Sequence, residues 1–481
     1  MRQLYRNISF TGISQILYTA MAFLLVPFVA RYLKSDGYGI YNLAGILGFF
    51  FNLFSDLGLS TFLTIEVSKN RNIAAKLFAS VLGIKIFLVL PAGLIILSYL
   101  KLSGLDGTIV RAVLIFTFSA IFAGFSNAFF AIFRGFQKME FETLATVIDK
   151  GISVALGIFL LVKGYGIHMF LFSFVAAEIC KFFLCLLLLR QRFFPLSISF
   201  RYKQSKLFLV RGLPFGLSVF LAVCYNYTAI LLLSSLSSMS QVGLYSAGFK
   251  FLNLATILPT VLATAFLPQL AENIKDNQRS SLLFAEGLKY LLFFSIPMIP
   301  FVFHFSQFFI TLIFGNDFTE AAIFLKVLVW GAFAQMTNIY LVSLYSAAGK
   351  QKMIVYFQTA ALAANLVMNF FFIQSFQALG ASAATVITEW LIFLAALFYA
   401  FFYLLDYRLI YQQLAFYILK IIAASCLMYA VARLLYPYHL SALPAMAACA
   451  LTFLVIVQIT GAIVWKRLLF LIGKDDQKRR T

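Results

Sequence analysis

Apolar residues in this chain neither alternate nor keep to one helical face. They come in long runs separated by short polar breaks. A run of about twenty apolar residues, coiled as a helix, fits a hydrocarbon layer roughly 30 Å thick. Strands of a membrane barrel are about ten residues long and alternate in polarity, and these runs do neither. Fourteen helical spans are predicted, over 8–30, 38–62, 77–99, 112–133, 142–162, 166–189, 212–234, 242–267, 282–302, 321–346, 353–374, 380–404, 412–434 and 441–465. The first follows a basic start, as in a signal peptide, but outruns a typical signal core and reads as an uncleaved span.

The breaks carry a second pattern. "SDGYGIYNLAG" from Ser35 and "MSQVGLYSAGF" from Met239 place Gly39 and Gly243 at helix starts six spans apart, each followed two residues on by Tyr41 or Tyr245. "RGFQKM" from Arg134 recurs as "AGKQKM" from Ala348, and Gly166 and Gly380 open spans six and twelve. Three echoes in one order predict a duplicated six-helix unit. Six is even, so the two copies share one orientation and are expected to be related about the membrane normal, with a cleft between them. The expected division is a six-helix lobe over 1–190, a basic cytoplasmic linker over 191–211 and a second six-helix lobe over 212–405. Residues 406–481 add two further spans and a basic tail. The linker reads equally as plain connection or as a short amphipathic surface helix. Gly39 and Gly243 are expected to let neighbouring helices approach closely, and Tyr41 and Tyr245 to sit at the membrane interface. Pro27, Pro91, Pro214, Pro259, Pro268, Pro297 and Pro300 are candidate hinges or static bends.

Composition agrees with the runs. Of 481 residues, 63% are hydrophobic and only 11% charged, too few to give a soluble protein its polar shell. The net charge of +20 could point to nucleic acid, but the basic residues lie in the breaks and the C-terminal tail, with no soluble basic domain to hold them. With the N-terminus placed inside, the inner breaks hold 24 basic residues and the outer breaks six. The positive-inside rule then predicts both termini in the cytoplasm and an even number of spans. Cys180, Cys185, Cys224, Cys426 and Cys449 lie in apolar surroundings without a paired spacing, and the three His are scattered. No metal site, disulfide or cofactor is expected.

Ionisable groups inside the spans are costly and mark function or pairing. Lys85 lies too deep to snorkel easily. It reads as an anion-binding cation or as the partner of a carboxylate on a neighbouring helix. Glu178 and Lys181, three residues apart, share a helix face and either neutralise each other or border a cavity. Asp149 and Lys150 are adjacent, so they diverge. Arg31, Lys250 and Lys326 complete the candidate substrate-binding set of Arg31, Lys85, Lys150, Lys181, Lys250 and Lys326. Asp56, Asp149, Glu178 and Glu389 are the candidate coupling or gating acids. The predominance of lysine points to an anionic substrate. Short outer connections argue against a glycan polymerase or ligase.

"VARYLKSDGYGIYNLAG" and "FSDLGLSTFL", over Ala30–Leu63, resemble the polysaccharide flippases, the Wzx-like exporters of lipid-linked oligosaccharides. "GLYSAGFKF" and "LYSAAGKQK" look like the same family, while Leu33-Lys34 departs from its usual Leu-Gly. The superfamily also holds the multidrug and toxin extruders and the lipid II flippase. The resemblance implies an all-α integral membrane protein in which two six-helix lobes form a V, with two extra C-terminal helices that offer a surface to a polyprenyl tail. It implies alternating access, in which an undecaprenyl-pyrophosphate-linked oligosaccharide moves from the cytoplasmic to the outer leaflet of the inner membrane. No covalent chemistry is expected. The expected partners are that substrate, bilayer lipids, polymerase or glycosyltransferase proteins of the same pathway, and a coupling proton or sodium ion, with the protein acting as a monomer. The alternatives are a drug or organic-cation antiporter of the same fold, which would favour carboxylates in its cavity, and a membrane glycan polymerase or ligase.

Overall fold

A computed structural model describes residues 2–198, 202–435 and 442–461. The basic tail from Lys466 to Arg480, the end of the predicted last span and Arg201 lie outside the described residues. Among the described residues every regular element is helical. In chain order these are α1 (Arg2–Asp56), α2 (Leu59–Lys69), α3 (Ala74–Leu102), α4 (Gly107–Gly135), α5 (Met139–Val162), α6 (Gly166–Arg192), α7 (Tyr202–Leu236) and α8 (Met239–Ala255). They continue as α9 (Ile257–Asn273), α10 (Asn277–Phe314), α11 (Ala321–Leu328), α12 (Ala332–Ala347), α13 (Gln351–Tyr403), α14 (Tyr407–Leu435) and α15 (Ala442–Ile459).

Among the described residues, eleven helical stretches are long and apolar enough to cross a membrane. Two of them are double. The α1 helix turns at Lys34, with φ 57°, and α13 turns at Gln377, with φ 49°. Dividing these at their turns and adding the shorter apolar helix Pro444–Ile459 gives the fourteen expected passes.

The left-handed turns are not where proline stands. Pro27, Pro91, Pro214, Pro268, Pro297 and Pro300 all have helical backbone around them, and Pro259 alone of the candidates stands beside a break, at Thr256 between α8 and α9. The backbone leaves the helical region instead at Lys34, at Leu57-Gly58 and at Gln377, each with positive φ. A proline removes one intrahelical hydrogen bond, whereas a left-handed residue redirects the chain. Likewise, the stretch "RYKQSKLFLVRG" is not a separate surface helix: from Tyr202 it is the first part of α7.

The chain divides into two compact units. The first comprises Met1–Ala247, Ile313–Thr319 and Asn365–Ala381, and the second Gly248–Leu312, Glu320–Ala364 and Ser382–Thr481. In the first, a core of Leu63, Phe78, Phe129, Phe133 and Leu189 ties α2, α3, α4 and α6 together. In the second, Phe266, Phe284, Tyr340, Ile421 and Cys449 gather α9, α10, α12, α14 and α15. Large apolar side chains such as Leu90, Phe183 and Phe398 remain exposed, as a lipid-facing surface requires.

Two close crossings organise the first unit. A methyl group built on Gly39 would collide with the backbone of Met239 and come 3.0 Å from the Gly243 nitrogen. One built on Gly243 would strike the Ser35 carbonyl. The two echoed stretches therefore pack directly on each other. Ser35 and Ser240 share a 2.8 Å hydrogen bond across the crossing, and the Ala378 amide donates to Gln241 Oε1 at 3.3 Å beside the α13 turn. Tyr38 is buried against Phe314 and Phe318, with ring centroids at 5.5 and 5.6 Å. Tyr245 is buried as well rather than placed at a membrane surface, and Tyr41 is half-buried against Phe170 and Phe174. These rings flank a crossing whose closest points, Gly39 and Gly243, carry no side chains.

The second crossing sits at the Leu57-Gly58 break. Gly58 has φ 80°, and a Cβ there would lie 2.6 Å from the Gly216 nitrogen; Gly212 and Gly216 of α7 meet the Leu57 and Gly58 backbone in turn. Small residues four apart let helix backbones touch.

Candidate functional site

Breaking the helix at Leu57-Gly58 leaves amides at the start of α2 without intrahelical acceptors. Asp56 supplies one: its Oδ2 accepts from the Ser60 amide at 3.3 Å and its Oδ1 from the Ser60 hydroxyl at 2.5 Å. The same carboxylate forms an ion pair with Lys85 of α3. The Lys85 ammonium also donates to the Gly124 carbonyl of α4 at 2.6 Å, and the residue is only 2% exposed. Of the two readings of Lys85, the structure therefore displays the carboxylate pair. It joins α1, α2, α3 and α4 at the break. A buried lysine without a counter-charge would be costly, and here both charge and hydrogen bonding are met.

A second polar locus runs along α5. Glu142, Thr146, Asp149, Lys150 and Ser153 follow the helical spacing of one broad face. Lys181 of α6 forms ion pairs with Glu178 at 2.6 Å and with Asp149 at 3.5 Å. This buried triad holds two carboxylates and one ammonium. Lys150 diverges from Asp149, as adjacent helical residues must, and lies over the ring of Tyr18 on α1 at 4.6 Å and that of Phe174 on α6 at 5.8 Å. A cation held on aromatic faces keeps its ammonium compensated while leaving it able to meet an anion.

Nearer the start of α5 is a cavity of about 240 Å³ lined by Gln15, Tyr18, Arg134, Met139, Glu142, Thr143 and Thr146. Arg134 at the end of α4 and Glu142 form a two-pronged pair, with contacts of 2.8 and 2.5 Å. Sequence reading did not single out Gln15, Tyr18, Arg134 or Glu142. The α5 spacing was the available signal for Glu142, whereas Tyr18 is one of 23 tyrosines and nothing local distinguishes it.

The remaining candidates stand apart from these two loci. Arg31 is exposed and its stem packs near Gly315. In the second unit, Glu389 is 4% exposed and accepts from the Asn338 side-chain amide at 2.9 Å; the same amide also meets the Glu389 carbonyl at 3.1 Å. Lys250 is exposed on α8 and Lys326 half-buried on α11. The second unit also carries an apolar cavity of about 670 Å³, lined by Ile257, Val261, Phe294, Pro297, Phe453 and Leu454 among others.

The fold matches solved membrane transporters. A structure of the lipid II flippase MurJ in an inward closed conformation aligns with a TM-score of 0.76 at 19% identity, over 96% of this chain and 100% of that one. An inward-facing multidrug resistance MATE family transporter of the MOP superfamily aligns with a TM-score of 0.62 at 13% identity, over 82% and 97%. In sequence, a Shigella flexneri protein assigned as an O-antigen transporter is 21% identical over 380 residues, 76% of this chain and 90% of that protein. The MatE family model matches residues 214–371.

Helical passes and these alignments define a multi-pass membrane fold shared with solved transporters. The polysaccharide biosynthesis protein family model matches residues 4–274, more than half of the chain, and the chain belongs to that family. The resemblance carried by Ala30–Leu63 is thereby borne out.

Proposed function

We propose that the protein flips an oligosaccharide linked to undecaprenyl pyrophosphate from the cytoplasmic to the outer leaflet of the inner membrane, by alternating access. The observation that carries this reading is the polysaccharide-family match over 4–274 in a chain whose fold follows that of a lipid II flippase along 96% of its length. The lobes of this machine are residues 1–190 and 212–405, joined by the basic linker and followed by the two extra helices, with both termini in the cytoplasm.

Lys150 is the leading pyrophosphate contact, because its ammonium rests on aromatic rings. Lys181 serves alongside it, and Lys85 acts through its pair with Asp56, which we assign to gating. Arg31, Lys250 and Lys326 are further contacts along the path. Asp149 and Glu178, two acids sharing one lysine, are the leading sites for a coupling proton or sodium ion, with Glu389 as a second candidate. The apolar cavity of the second unit, walled in part by α15, suits a polyprenyl tail.

The test is reconstitution in liposomes with fluorescent lipid-linked oligosaccharide. Wild-type protein should expose the labelled head group to a membrane-impermeant quencher on the opposite face. The MatE match over 214–371 makes a drug antiporter the second reading. Transport of ethidium in place of the glycolipid would overturn the first reading in favour of the second.

A further inference from the structure

The cavity at the start of α5 differs chemically from the charged loci beside it. Gln15, Thr143 and Thr146 offer neutral hydrogen-bonding groups, and Arg134 and Glu142 bring opposite charges already paired. Such a lining has no excess charge with which to hold a phosphate or a cation. Its remaining walls are the ring of Tyr18 and the apolar side chain of Met139. At about 240 Å³ it is smaller than the roughly 300–1,000 Å³ of sites for drug-sized ligands, which suits one ring rather than several. A pyranose presents an apolar C–H face to an aromatic ring and a rim of hydroxyls to amides, hydroxyls and a carboxylate–guanidinium pair.

Tyr18 also belongs to the neighbouring locus, since the Lys150 ammonium lies 4.6 Å from its ring centroid. One ring thus separates a neutral, hydroxyl-reading cavity from a cation suited to phosphate. In a pyrophosphate-linked glycan the first sugar is bonded directly to the pyrophosphate, so subsites for the two must adjoin. We propose that the cavity between α1, α4 and α5 is the subsite for the first sugar of the glycan, with Tyr18 under the ring and Gln15, Thr146 and the Arg134–Glu142 pair reading its hydroxyls. This rests on the lipid-linked-oligosaccharide reading and adds which residues of this chain meet that sugar.

The test measures binding of two probes to the full-length protein in detergent: a short polyprenyl pyrophosphate, and the same lipid carrying one N-acetylhexosamine. Wild-type protein should bind the sugar-bearing probe about five- to tenfold more tightly, the gain from one or two neutral hydrogen bonds with ring stacking. Gln15→Leu and Thr146→Val should bring that ratio toward one while leaving affinity for the bare pyrophosphate unchanged. Tyr18→Phe should keep the ratio and Tyr18→Leu lose it, a contrast between two folded, apolar replacements. Lys150→Met should weaken both probes alike. Equal binding of the two probes by wild type, or an unchanged ratio in the Gln15 and Thr146 variants, overturns the subsite even if flipping proceeds. Failure of wild type to bind either probe or to flip the glycolipid overturns the lipid-linked reading and the subsite with it.

Discussion

Ser35 and Ser240 meet through their hydroxyls at 2.8 Å, although 205 residues of chain separate them. Their helices cross one turn further on, at Gly39 and Gly243, where backbone touches backbone. The alternating access proposed above predicts that this crossing parts during the cycle. The double variant Ser35→Cys/Ser240→Cys should form a disulfide under mild oxidation and stop flipping. Reduction should restore it. Flipping at the full wild-type rate by the cross-linked protein would show that the crossing never opens.

Gly58 combines a positive φ with a neighbour that leaves no space for a side chain. Gly58→Ala should destabilise the protein by more than the roughly 1 kcal/mol of an ordinary glycine replacement, since strain and collision add. Thermal unfolding in detergent checks this. Gly93→Ala is the control, because a Cβ at Gly93 meets nothing within 4 Å.

Lys85 and Asp56 form a buried pair, so single and double variants should differ in order as well as in size. Lys85→Met leaves the carboxylate uncompensated and should cost about 3–5 kcal/mol. Asp56→Asn/Lys85→Met should recover much of that stability. Flipping by the recovered double variant then separates the two roles: a gating pair predicts lost or slowed transport in a stable protein, and a purely structural pair predicts restored transport.

The triad of Asp149, Glu178 and Lys181 predicts an asymmetry. Lys181→Met leaves two buried carboxylates facing each other and should be the most destabilising single change. Asp149→Asn and Glu178→Gln each leave one matched pair and should cost less. If the acids carry the coupling ion, these two variants should flip substrate without responding to an imposed proton or sodium gradient. An unaltered gradient response in both would remove the triad from coupling.

How much of this was legible in the sequence follows from which forces act locally. The passes are written in long apolar runs because lipid demands that each segment satisfy its own backbone. The α5 stripe was legible in part, since Asp149 and Lys150 sit where helical geometry sends them apart. The partners were not. Asp56 and Lys85 lie 29 residues apart on different helices, and nothing between them announces the pair. Tyr18 gains its importance only from what α5 and α6 bring to it. The turns at Lys34 and Gln377 fall in the expected breaks at 31–37 and 375–379, but their positive φ was not legible, because neither residue type favours it and the surrounding packing imposes it. Proline, the more obvious punctuation, stands inside continuous helix at Pro91, Pro297 and Pro300, and beside a break at Pro259.

The Gly39–Gly243 contact also gives a reason for the echo between "SDGYGIYNLAG" and "MSQVGLYSAGF". Each stretch is the mould in which the other is cast. A side chain added to one has nowhere to go unless the other yields, and the other has already given up everything beyond its backbone. Each glycine thus sets the size limit of the other, and two distant stretches of chain are tied to the same residue type by one shared point of contact.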